Sequence, residues 1–169
     1  MSSKKIYSLL ILLPLALLAA GCGKSVVQQV IEQKTGVEVN SQGNQVKMLD
    51  ENGNTVTATM EQKLPDNFPA AAPYYKNARI IQGTSLVITD GTSYGLILAT
   101  NDSVEDILKY YRQELKNNGW AISVDSSMND LSTIGAQKNE LTFNLIIMPN
   151  EDSSYSEKIN ISETVVTEK

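Results

Sequence analysis

The chain has 169 residues, with 14 Lys plus Arg against 19 Asp plus Glu and a net charge of −5. Such an acidic balance argues against nucleic acid and against peripheral binding to anionic lipid. Hydrophobic residues make up 41%, enough for the packed core of one ordinary domain, so global disorder is not expected. There is no histidine and a single cysteine, which removes the commonest general base, the commonest metal ligand and any internal disulfide. No cofactor and no metal are therefore expected. Any enzyme here would work with Asp, Glu, Ser, Lys or Tyr alone.

Residues 1–24 carry a positive start at Lys4 and Lys5, then an uncharged apolar run from Ile6 to Ala20. That order of features is an export signal, and the run is short for a membrane span. Leu18-Ala19-Ala20-Gly21 then sets small residues just before Cys22. This ending resembles the lipobox of bacterial lipoproteins. The resemblance implies cleavage after residue 21, lipid on the Cys22 thiol, and a protein held on the extracytoplasmic side of a membrane. If the host has an outer membrane, Gly23 lacks the aspartate associated with inner-membrane retention, which favours the outer one. An ordinary secretory signal with a leftover Cys, or an uncleaved anchor, is the alternative. Removing residues 1–21, which hold two lysines and no acid, leaves 148 residues and takes the net charge from −5 to −7. The membrane link must then be the acyl chains, because the surface itself is repelled.

Residues 25–35 read as a short helix, with Val26, Val27, Val30 and Ile31 at helical spacing and Gly36 as a stop. Residues 37–60 read as a small β-meander. Val37 and Val39, Val46 and Met48, then Val56, Ala58 and Met60 alternate with polar residues, and Asn52-Gly53 is a hairpin turn. Residues 64–77 change character. Pro65, Pro69 and Pro73 each fix φ and remove a backbone donor, so this stretch reads as an extended strap pinned by Leu64 and Phe68.

From residue 78 to 166 the pattern is strand, strand, helix, strand, strand, strand. Ile80–Ile88 reads as a strand with a bulge at Gly83, and Tyr94, Leu96 and Leu98 alternate after the Asp90-Gly91 turn. Ser103 caps a helix whose Val104, Ile107, Leu108, Tyr111 and Leu115 form one stripe, and Asn118-Gly119 ends it. Trp120, Ile122 and Val124 alternate, residues 126–131 read as a polar loop, and a hairpin turns around Asn139. Ile159, Ile161 and Val165 make a last strand. The expected fold class is α+β: a mainly antiparallel sheet of about five strands, with one amphipathic helix on one face, preceded by the short helix and the meander. The expected organisation is a signal peptide over 1–21, a lipidated N-terminus with short helix and meander over 22–63, the strap over 64–77, and the α+β domain over 78–166.

Leu64-Pro-x-x-Phe-Pro-x-x-x-Pro73, followed by Asp102-Ser103-Val104-Glu105-Asp106, Tyr110-Tyr111 and Asn118-Gly119-Trp120, resembles uncharacterised bacterial lipoproteins with a lipobox, this strap and a small α+β domain. The likeness implies location and architecture; it brings no activity and no catalytic residue. In such proteins the strap often continues Tyr-Pro-Gly-Ala, where this chain has Tyr75-Lys76-Asn77-Ala78.

Three motifs invite chemistry. Gly91-Thr92-Ser93-Tyr94-Gly95 matches a nucleophile elbow, but it leads into a strand and lacks a histidine base. Asp50, Asn52, Asn54 and Glu61 fall at calcium-loop positions, but Thr55 stands where that loop wants glycine. Asp125 to Asp130 is more simply a solvated loop. Tyr74 and Tyr75 on the strap either contact a partner or lock the strap down. These observations lead to an expected non-enzymatic interaction or assembly module in the cell envelope. Its partners would be the membrane, through the lipid, and an unidentified envelope protein or ligand. The alternatives are a small-ligand-binding lipoprotein with a pocket between strap and sheet, and a carboxylate-based glycan hydrolase.

Overall fold

Among the described residues, nine strands pair into one antiparallel sheet. The strands are β1 (Glu38–Val39), β2 (Gln45–Leu49), β3 (Thr55–Glu61), β4 (Arg79–Ile88), β5 (Gly91–Thr100), β6 (Ala121–Met128), β7 (Leu131–Lys138), β8 (Leu141–Pro149) and β9 (Ile159–Glu168). Among the described residues one helix, α1 (Val104–Asn117), joins β5 to β6. The computed structural model describes residues 37–168 apart from Ser41, Glu51 and Ser153. The export segment, Cys22 and the expected helix over 25–35 lie outside the described residues. Among the described residues, no helix is long and apolar enough to cross a membrane.

The strand order is β1-β2-β3-β4-β5-β9-β8-β7-β6, which corrects the expected five-stranded sheet with a separate meander. Thr57 to Glu61 of β3 pair with Val87 to Gly83 of β4, so the meander continues the main sheet. The physical reason is edge satisfaction. β4 would otherwise present unpaired backbone groups, and the thin meander has too little apolar surface to stand alone. The chain leaves the middle of the sheet at β5, crosses it as α1, starts again at the far edge as β6, and returns strand by strand until β9 closes against β5.

Local signals account for α1. Ser103 Oγ accepts from the Asp106 amide at 3.1 Å and donates to the Asp106 carboxylate at 2.6 Å. Gly119 at φ 73° closes the other end, and the Trp120 amide bonds the Leu115 carbonyl at 2.9 Å. Ile107, Leu108, Tyr111 and Leu115 face inward, against Leu96, Leu98, Phe143, Leu145 and Ile161 of the sheet. Leu108→Ala is expected to cost about 2–5 kcal/mol, and Lys109→Ala on the exposed face less than about 0.5 kcal/mol. Denaturant melts of the two variants compare them directly, and equal losses would reverse the assigned face.

Three local expectations are also revised. The β4 irregularity falls between Ile80 and Gln82, not at Gly83. Residues 126–128 belong to β6, because Ser126 and Ser127 pair with Thr133 and Ser132. The strap is not extended but a chain of turns. The Phe68 amide bonds the Pro65 carbonyl, Ala72 bonds Pro69, and Ala78 bonds Tyr75, at 2.9–3.1 Å. Asn67, at φ 63°, takes the left-handed position that the first of these turns requires.

Candidate functional site

One face of the sheet is divided in three. α1 covers the β6–β9 side, the strap lies across the middle, and the β2–β5 side stays open as a groove of about 320 Å³ walled by the strap. A single cross-strand row makes the floor: Gln45, Thr59, Ser85 and Tyr94 are register partners on β2, β3, β4 and β5. Glu61 and Gly83 stand on one side of that row, and Val87 with Thr92 on the other. Pro65, Asp66 and Asn67 of the strap form the wall, and Asn40, Gln42 and Asn44 form the rim. Amide and hydroxyl groups therefore dominate the lining.

The rim is ordered by its own hydrogen bonds. Asn40 donates to Asn44 at 2.7 Å, Asn44 donates to Glu61 at 3.3 Å, and Gln45 donates to Thr59 at 3.4 Å. Lys63 bridges the Glu61 and Asp66 carboxylates at 3.2 Å each, which ties the strap entrance to the end of β3. Both partners hold the Lys63 ammonium above its ordinary range.

The strap is fixed from beneath by aromatic side chains. Trp120 Nε1 donates to the Ala71 carbonyl at 2.8 Å, and the Tyr110 hydroxyl donates to the Tyr74 carbonyl at 2.8 Å. Phe68 meets Tyr94 edge-on at 5.9 Å, so the strap's own ring braces the groove floor. Gly83 is where the strap presses closest. A Cβ there would stand 2.0 Å from the Lys63 carbonyl oxygen.

Tyr75 is 5% exposed, and its hydroxyl donates to Asp102 at 2.6 Å. Burial, followed by the Asp102 carboxylate, pushes the Tyr75 hydroxyl up to about 12. Of the two readings for Tyr74 and Tyr75, this position makes Tyr75 a lock and leaves no free ring to meet a partner. Tyr74 is half-buried, edge-on to Phe68 at 6.3 Å.

Ser93 lies inside β5, between Leu86 and Val166, with no strand–turn–helix setting around it. The Asp50 carboxylate accepts from the Asn52 and Asn54 amides at 2.9 and 2.8 Å and from the Asn54 side chain at 3.0 Å. Those bonds build a hairpin turn and hold Asp50 below the usual carboxylate range. Asp125 is paired with Arg112 of α1 at 2.7 Å. Among the described residues, no cluster of three or more metal-ligating side chains stands together.

Sequence reasoning missed Glu163. It is 1% exposed, on β9 between Leu96 and Leu145. Its Oε1 accepts from the Tyr111 hydroxyl and, at 3.4 Å, from the Tyr75 amide, which also donates to the Tyr111 oxygen at 3.0 Å. Its Oε2 is buried with no hydrogen-bond partner among the described residues. Desolvation raises this carboxyl to about 8, against smaller lowering contributions from Tyr111 and Tyr75. The signal was present in the alternation Ile161-x-Glu163-x-Val165, which sets the acid on the apolar face.

A family model described as START domain-like matches residues 81–155, less than half of the chain. The match spans most of β4, then β5, α1 and β6 to β8. It therefore includes Gly83, Ser85, Val87, Thr92 and Tyr94 of the groove but neither the strap nor β2 and β3. No curated protein and no solved structure matches the chain.

Proposed function

We propose that this protein is a small-ligand-binding lipoprotein of the bacterial cell envelope, and that the groove between strap and sheet takes a hydroxyl- or amide-rich molecule such as a saccharide. The observation that carries this reading is the polar floor row Gln45, Thr59, Ser85 and Tyr94 beneath a fixed wall. Amides and hydroxyls both donate and accept, so they exchange readily with a ligand's own hydroxyls. A volume of about 320 Å³ lies at the small end of ligand sites. The START domain-like likeness over residues 81–155 supports the same class, a ligand-binding domain.

The interaction-module reading needs a continuous exposed apolar patch. On the sheet face opposite the groove, Ile146 and Ile97 are exposed, but their row reads Thr133, Ile146, Ser162, Ile97, Gln82. Along this row polar residues separate the apolar ones, but toward the β6 edge the exposed Met128, Leu131, Ile146 and Met148 share the same face, so the interaction-module reading rests on that edge alone. Glu61 and Asp66 bring two carboxylates to the groove, as a glycan hydrolase would. Both are held by Lys63, and the Asp66 side chain is 81% exposed, far from the dry setting of a general acid.

Ser85→Trp is expected to fill the floor and weaken binding at least about tenfold, or ~1.4 kcal/mol. Chemical-shift titration with mono- and disaccharides of envelope glycans reads the effect. Equal affinity in the variant, or shifts confined to the opposite face, would remove the groove. Turnover of a glycan that is lost in Glu61→Gln would replace the binding reading with the hydrolase. The membrane anchor is the second part of the proposal. Cys22→Ala is expected to abolish acylation and leave an unprocessed or mislocalised precursor, and an unmodified Cys22 on the mature membrane-bound chain, seen by mass spectrometry, would overturn it.

A further inference from the structure

Among the described residues, Glu163 is the one buried acid, and the ligand groove does not explain its place in the fold. It belongs to the core-facing row Ile134, Leu145, Glu163, Leu96, Gly83, Glu61, which runs from beneath α1 to the groove. Gly83, about 10 Å and two strands away, is where the strap enters. The far end of the strap sits on Glu163 itself, through the Tyr75 amide and Tyr111. One side chain thus supports the exit of the same segment whose entrance walls the groove.

The charged surroundings are sparse. α1 presents Tyr111, and Tyr110 of the same helix senses the Glu163 charge. The strap presents only the Tyr75 amide, since the Tyr75 hydroxyl is turned to Asp102. β5 and β8 contribute Leu96 and Leu145. Among the described residues, no lysine or arginine is among the influences on this carboxyl. A neutral acid fits this site. A carboxylate there would have two donors and one unpartnered oxygen, and would need water. Water reaches it by two routes. Opening β9 breaks pairing with both β5 and β8, whereas lifting the strap end breaks a few isolated hydrogen bonds. The strap is the weaker side.

We propose that Glu163 and Tyr111 form a proton-controlled latch for the strap: the neutral carboxyl seats the Tyr75 end, and the ionised carboxyl releases it and moves the groove wall. The effect on ligand affinity rests on the groove reading; the latch itself is read on the free protein.

The protein carries its own probe, because its single tryptophan, Trp120, is bonded to the strap at Ala71. In the full chain, without ligand, Trp120 fluorescence and amide hydrogen exchange across residues 65–78 are followed from pH 6 to 9.5. A transition centred near pH 8 is expected. By pH 9, strap exchange should exceed the intrinsic base-catalysed rise by about tenfold while β8 and β9 amides stay protected. Glu163→Gln should abolish the transition. Tyr111→Phe removes a hydrogen bond that favours the ionised form, so it should move the midpoint to higher pH, and it serves if the glutamine variant does not fold. An unchanged midpoint in either variant, a flat wild-type profile, or equal loosening of strap and sheet would each overturn the latch. Unaltered saccharide affinity across a confirmed transition would count against the groove alone.

Discussion

Glu163→Gln is expected to make the protein more stable than wild type above pH 8 and to flatten its stability profile between pH 5 and 9. The carboxyl titrates near 4.5 when unfolded and near 8 when folded, because burial disfavours its charge. A raised folded value means that the native state binds the extra proton between those limits. The stability is therefore fully present below pH 4.5 and is lost as pH rises through about 8. The ceiling of the loss is roughly 5 kcal/mol, a large fraction of a typical domain's total. On the acid side the sign reverses. Arg112 and Arg79 hold Asp125 and Glu157 below the usual carboxylate range, Glu157 at about 2. Their contributions are lost as pH falls through those lowered values, and both pairs are on the surface, so the effect is small. Maximum stability is expected near pH 5. Denaturant midpoints at pH 5, 7 and 9 for both proteins measure this; parallel profiles would show that Glu163 is not the titrating group.

Gly83→Ala is expected to cost about 3 kcal/mol or more, whereas Gly95→Ala in the neighbouring strand should cost no more than about 1 kcal/mol. Both glycines lie within strands, and in both an added methyl meets an atom at short range. The difference is in what it meets. At Gly83 the obstacle is the Lys63 carbonyl oxygen at 2.0 Å, with Pro65 Cδ at 3.0 Å. That is backbone and a proline ring, held by the Pro65–Phe68 turn and the Lys63 ion pairs. At Gly95 the obstacle is the Thr84 hydroxyl at 2.5 Å, the end of a side chain that can turn. Only the Gly83 variant should also expose the strap to proteolysis near residues 63–69. Equal melts for the two variants would show that the strap is not pressed onto the sheet as described.

The helix was legible in full because its signals are local. Ser103, Asp106, the apolar stripe and Gly119 all lie within the segment that they define. Turns were legible for the same reason: Gly53 at φ 80° and Asn139 at φ 52° occupy the conformations that their residue types favour. The strap was legible as a break but not as a shape, since proline forbids helix and central strand without choosing between an extended chain and consecutive turns. Residues 126–128 read as loop because Ser126 and Ser127 are polar and Asn129-Asp130 follow at once. They form a strand because the whole of β6 is an exposed edge, where pairing with β7 decides and burial does not.

By itself, the sequence determined which segments alternate, where the helix starts and stops, where the chain turns, and that no histidine chemistry is available. Only the tertiary structure decided that the meander and the main strands share one sheet. That joining depends on β3 meeting β4 across the whole strap, and on β9 inserting between β5 and β8 after a long excursion. Such pairings leave no local period, because the hydrogen bonds are backbone groups that every residue carries. The groove and the buried acid followed from the same step. Gln45, Thr59, Ser85 and Tyr94 are ordinary strand residues until register sets them in one row. Glu163 is an ordinary charge until α1 and the strap close over it and remove the water.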